Sequence, residues 1–143
     1  MSDSERARAL LSENPQWTCV LCRGEQTLTA TARGIAPMME WIECGEDLRG
    51  FSVADRVVGR AAAFLFVLAG VQSVYTAVIS EPALAVLKQY ALPCIYDRLV
   101  PHIINRTGDG LCPMETAVLG IDNPEDVRLA IRETQIRLKR GNT

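Results

Sequence analysis

The spacing of apolar and polar residues changes several times along the chain, and each change marks a predicted element. "SERARALLSEN" reads as a short N-terminal helix with Ser4 able to cap it. "WTCVLCRGEQTLTATA" alternates around the turn Arg23-Gly24-Glu25, which predicts a β-hairpin. "IAPMMEWIE" is a short helical segment opened by Pro37 and closed by Gly45. "SVADRVVGRAAAFLFVLAG" gives the strongest helical signal, with Ser52 as N-cap and Gly70 as stop. Its second half is apolar on every side, so it is expected inside the protein.

A strand is predicted from Ser73 to Ile79, a helix from Pro82 to Tyr90, and a short strand from Cys94 to Tyr96. "LVPHIINRTGDGLCPMETAVLG" reads as a turn-rich loop leading into another helix. The last helix has Asp122 and Asn123 as candidate caps, Pro124 in its first turn, and Lys139, Arg140 and Gly141 at its end. No repeat, low-complexity tract or linker divides the chain, so one domain over residues 1–143 is expected, with its core at about 14–140. Helix, hairpin, helix, strand, helix, strand, helix implies an α/β fold, a three-layer α/β/α arrangement around a mixed sheet. Right-handed crossovers would gather the loops containing Ser52, Glu81 and Cys112 at one sheet edge, where open α/β sheets bind ligands.

Composition narrows the function classes. The chain has 143 residues, 48% hydrophobic and 22% charged, as expected of a folded domain with a real core. A net charge of -2 argues against a nucleic-acid partner. The apolar run from Ala61 to Val71 is too short to span a bilayer, and "MSDSERARALL" lacks a signal-peptide core. A soluble cytoplasmic protein with a small-molecule ligand and no membrane partner is expected, and self-association into a homo-oligomer stays open. Five cysteines, an odd number, suit reduced thiols better than a disulfide scaffold.

The order of elements resembles the cytidine-deaminase-like fold. In its zinc-binding members one helix opens with His-Ala-Glu and the next with Pro-Cys-x-x-Cys. In "YTAVISEPALAV" the two cysteine places hold Ala83 and Val86, and 29 positions before Pro82 stand Val53-Ala54-Asp55. The resemblance would thus place Val53 at the zinc histidine and Asp55 at the general acid/base glutamate. Valine, alanine and valine cannot ligate a metal, so neither a zinc cofactor nor zinc-dependent deamination is expected. "FSVADRVVGRAAAFL", "VISEPAL" and "INRTGDGLCPME" also look like a family of small, functionally uncharacterised prokaryotic proteins, a domain of unknown function described as having this same fold. The likeness runs from about Asn14 to the final helix, and it implies a fold without implying an activity.

Candidate chemistry centres on Cys112. With Pro113 at the first helical position, Cys112 becomes the N-cap and Glu115 stands three residues on; a thiol placed there favours thiolate, whereas a plain capping box is the structural alternative. Gly108 and Gly110 would let a ligand approach the backbone, and Asn105 and Arg106 could donate to an anion. Asp55 is expected in the first turn of the Ser52 helix, where a carboxylate also suits the helix dipole. Arg60 is expected either to reach solvent or to pair inward with Asp55 or Glu81. Glu81 opens a helix, where it is first a dipole-compatible residue, and Arg33-Gly34 could reach the crevice. Cys19 and Cys22 form a Cys-x-x-Cys, but on a strand residues three apart face opposite sides, which spoils chelation. His102, the single histidine, has no Ser or Cys beside it to suggest a triad.

Three functional expectations follow. One is metal-free binding of a small anionic or nucleotide-like ligand in a crevice of helix N-termini, lined by Asp55, Arg60, Glu81, Asn105, Arg106 and Cys112. Another is an enzyme or sulfur carrier in which Cys112 is the nucleophile and Asp55 or Glu115 moves protons. The last is a non-catalytic oligomeric scaffold.

Overall fold

The hairpin forms where alternation predicts it, and the rest of the sheet is built around it. The computed structural model describes residues 1–105, 107, 108 and 110–141. In chain order the elements are α1 (Asp3–Glu13), β1 (Cys19–Arg23), β2 (Gln26–Ala30), α2 (Ala36–Glu43), β3 (Ser52–Val58), α3 (Arg60–Ala69), β4 (Ser73–Ser80), α4 (Glu81–Gln89), β5 (Cys94–Val100), α5 (Pro113–Ala117) and α6 (Pro124–Gly141). The five strands lie in the order β2-β1-β3-β4-β5. β1 pairs antiparallel with both β2 and β3, while β3, β4 and β5 run parallel. Each parallel neighbour is reached through a helix, α3 and then α4, as parallel pairing requires.

Among the described residues α1 alone covers one face, sealing a small core of Ala7, Leu11, Val20, Cys22, Ala54 and Tyr75. The other face carries the main core, into which α3 sends Ala61 through Phe66, all buried. α4, α2 and α6 pack around α3, so helices lie on both sides of a mixed sheet and the α/β class holds.

One predicted element is corrected. The stretch from Ser52 to Gly70 is a strand and a helix joined at Gly59, and Ser52 caps nothing. Val53 and Ala54 are both fully buried, one under each helical layer, so the middle strand has no apolar–polar alternation to announce it. A continuous apolar run of this kind imitates a buried helix. Two boundaries also shift, and of the two candidate caps of the last helix Asn123 is the one used. Ser2, in a capping box with Glu5, caps α1 in place of Ser4; β5 extends to Val100; and Asn123 accepts the first N–H groups of α6.

The ladder of the parallel half is interrupted at one level, and β3 and β4 change phase toward their carboxyl ends. Asp55 pairs with Thr76 and Val57 with Val78, while Thr76 pairs with Tyr96 and Val78 with Arg98, leaving Arg56, Ala77 and Asp97 outside the register. Val53 and Val58 both enter the main core, as do Val74 and Ile79, although strict alternation sends residues five apart to opposite faces. A break in the ladder of this kind re-aims side chains. Here it coincides with the carboxyl ends of the strands, where the site lies.

Candidate active-site cavity

The carboxyl end of β3 opens into a cavity of about 330 Å³, within the range of small-molecule sites. β3 supplies its floor with Asp55 and Val57, α3 supplies Gly59, Ala61 and Ala62, and the chain after the hairpin supplies Arg33, Gly34 and Ile35. The far wall is Ile103 with Cys112, Met114 and Glu115 around α5. β3 is the boundary strand between the antiparallel and parallel halves of the sheet, so the cavity lies where the direction of chain winding reverses.

Asp55 is the carboxyl on the cavity floor, and it is half-buried. Its Oδ1 accepts from the Arg56 N–H at 2.8 Å. Desolvation pushes its pKa up to about 7, against the opposing pull of the Arg56 and Val57 N–H groups and the Arg56 charge. The Arg56 guanidinium is directed elsewhere: it donates to the carbonyls of Trp17 (2.9 Å), Leu11 (3.0 Å) and Asn14 (3.2 Å), closing the end of α1. Asp55 thus sits among apolar walls without an ion-pair partner among the described residues. Cys19 is its cross-strand partner, and burial together with the Asp55 charge raises that thiol well above its usual range.

Glu115 has a different role from the one its spacing implies. Its backbone N–H donates to the Cys112 carbonyl at 2.9 Å, but its side chain does not close a capping box on α5. The carboxylate instead crosses to α3, accepting from the N–H groups of Arg60 (2.6 Å) and Ala61 (2.9 Å). α3 begins at Gly59, which has no side chain to cap it, and Glu115 satisfies its first donors from outside. A Cβ on Gly59 would lie 2.5 Å from a Glu115 carboxylate oxygen, so the cap requires glycine there. Arg60 pairs with neither Asp55 nor Glu81. It donates to the Val118 carbonyl at 2.5 Å and to Asp122 at 2.8 Å, and lies over the Phe64 ring.

Of the residues singled out in the sequence, Asp55, Cys112 and Glu115 meet in the cavity, as does Arg33-Gly34, while Arg60 contributes only its backbone beside it. Asp55 reaches the cavity from a strand, not from the first turn of a helix. Glu81 is exposed at the start of α4 and does not line the cavity; the first turn there is capped by Ser80, which accepts from the Ala83 N–H at 3.2 Å. Asn105 shapes its own loop, accepting from the Gly108 N–H at 2.9 Å and the Thr107 hydroxyl at 3.1 Å, and Gly108 is an exposed turn glycine at φ +78°. Arg106 lies outside the described residues. Cys19 and Cys22 face the two separate cores, and His102 is exposed. The sequence reading missed Thr18, Ile35, Ile103 and Met114, because an isolated apolar residue or threonine carries no signal that it lines a cavity. No group of three or more histidine, cysteine, aspartate or glutamate residues stands ready to hold a metal among the described residues. No helix there is long and apolar enough to cross a membrane.

Fold and cavity together define an α/β protein with a small, largely apolar cavity at the carboxyl end of its central strand. The chain belongs to the family described as Domain of unknown function (DUF1893), which matches residues 6–135. It is similar to the crystal structure, at 2.70 Å resolution, of a DUF1893 family protein (TM1506) from Thermotoga maritima, with 25% sequence identity and a TM-score of 0.82 over 93% of this chain and 90% of that one. No curated protein matches.

Proposed function

We propose that the protein binds a small molecule in this cavity, with Asp55 as the group that recognises it. The supporting observation is a carboxyl poised near neutrality on the floor of a largely apolar cavity. A ligand suited to it has a flat apolar body and an edge of N–H donors for Asp55, as a nucleobase-like heterocycle has. The N-terminus of α3, which could hold an anion, is already taken by Glu115. An anionic tail would therefore meet Arg33, exposed at the cavity mouth. Isothermal titration with nucleosides and their monophosphates tests the reading. Asp55→Asn should weaken every ligand, and Arg33→Ala only the phosphorylated ones. If neither class binds, and native mass spectrometry of the purified protein shows no companion molecule, the reading fails.

A metal-free variant of the cytidine-deaminase-like fold belongs to the same proposal. α3 and α4 open at the carboxyl ends of adjacent parallel strands, the arrangement in which zinc members hold their metal. With the strand at Ser52–Val58, the residues opening α3 are Arg60, Ala61 and Ala62, and those of α4 include Ala83 and Val86. None of these five is a side chain that ligates zinc.

A second reading rests on Cys112 and Asp55 lining one cavity. The thiol would add to a polarised C=C bond of the ligand, the π electrons passing to the neighbouring carbon, with Asp55 taking the thiol proton and delivering it to that carbon. Its test is an adduct on Cys112 in the intact mass after incubation with substrate mixtures, absent in Cys112→Ser.

A further inference from the structure

We propose that α5 is a door on the cavity, latched by the Glu115 carboxylate on the first turn of α3. The inference rests on the cavity being a binding site, but the opening it describes can be measured without any ligand.

The cavity walls differ in how firmly they are held. The floor is the central strand, and the α3 wall lies within the main core. α5 has five residues, none of them buried. Met114 packs against the main core from its half-buried position, and the Cys112 N–H donates to the Ile103 carbonyl at 3.0 Å. The polar grip of the α5 side chains and of the turn after the helix comes at two further places. Past its end, Val118 is buried, its carbonyl accepts from Arg60, and Asp122 pairs with the same guanidinium. Within it, the Glu115 carboxylate accepts from the N–H groups of Arg60 and Ala61 at 2.6 and 2.9 Å. The first place is an anchor near the Gly120 turn (φ +76°), and the second is a latch made of polar contacts. Segments with few buried apolar contacts open locally at low cost. Releasing Glu115 lets Cys112 and Met114 swing from the wall, while Val118 stays as the pivot.

Two signals report this motion independently. The first-turn amides of a helix have no helical acceptor, so protection of the Arg60 and Ala61 N–H groups reports Glu115 directly. Cys112 lines the cavity, so its rate of alkylation by iodoacetamide reports whether the wall has moved.

Gly59→Ala is the informative change. Gly59 has φ -98°, which any residue adopts, so alanine strains no backbone and acts only by pushing a methyl against the carboxylate. Glu115→Gln is the companion, keeping the shape of the side chain while removing its charge. With circular dichroism unchanged, each variant should speed exchange at Arg60 and Ala61 and alkylation of Cys112 together. About tenfold is expected, the effect of losing roughly one charge-assisted contact. Faster amide exchange with Cys112 alkylating at the wild-type rate would overturn the door, since the latch would then hold nothing. A Cys112 that alkylates in the wild type as fast as exposed Cys44 would overturn it as well. Failure to bind any nucleoside, with both signals moving as expected, would count against the proposed ligand and leave the door standing.

Discussion

Asp55 is an ionisable residue that the fold moves far from its usual behaviour. Its folded-state pKa, near 7, lies above the ordinary 3.8, so between about pH 4 and pH 7 the folded protein keeps a proton that the unfolded chain has released. Stability is therefore highest below this window, falls as pH rises through it, and levels off above it. Asp55→Asn removes this dependence. The difference between wild-type and variant melting temperatures should grow from pH 4 to pH 7 and then stay constant, with the variant gaining on the order of 1–3 kcal/mol at pH 8 after allowing for water in the cavity. A difference that does not vary with pH would mean that Asp55 is ordinarily solvated. Asp55 was legible in the sequence as a candidate, but for a reason that the structure replaces. The reading placed it in a helix turn as a counterpart of a catalytic glutamate, whereas burial beside a cavity is what gives it chemistry. Glu115 was also singled out, yet its partners are 54 and 55 positions away, beyond any capping-box rule.

Among the elements, α3 and α6 were the clearest in advance, and β3 was hidden. α3 ends at Gly70 with φ +75°, and α6 carries acidic residues in its first turn and basic ones in its last, all local signals. β3 has apolar cover on both faces, so its residues read as the beginning of the apolar helix that follows. The β-branched residues Val53, Val57 and Val58, with Gly59 as a break, were the clues that favoured a strand. α1 illustrates how a single side chain ties an element down. Arg56 crosses from β3 to three carbonyls in and just after α1, at Leu11, Asn14 and Trp17. Arg56→Met should cost about 2–3 kcal/mol and loosen α1 before the sheet. Hydrogen exchange would show α1 losing protection while β4 keeps it; a uniform loss over both would assign Arg56 to the global fold instead. At α4, Ser80→Ala should cost about 1 kcal/mol in denaturant unfolding, the ordinary worth of an N-cap.

At the scale of the whole molecule, the five thiols divide by depth. Cys44 is exposed, Cys94 and Cys112 are partly covered, and Cys19 and Cys22 are buried in opposite cores. Alkylation should proceed in that order, and Cys19 and Cys22 should label together at the rate of global unfolding, because both sides of the sheet must open. Separate labelling of these two would show that the α1 layer comes away on its own.

The hairpin and most of the helices were determined by sequence alone, because capping and turn chemistry are properties of single residues and their near neighbours. Tertiary structure decided the rest. It put β3 at the centre of the sheet, shifted the phase of β3 and β4 near their carboxyl ends, and brought Glu115 to the start of α3. These depend on pairings between residues far apart in the chain, whose energies come from burial and geometry that no local pattern records.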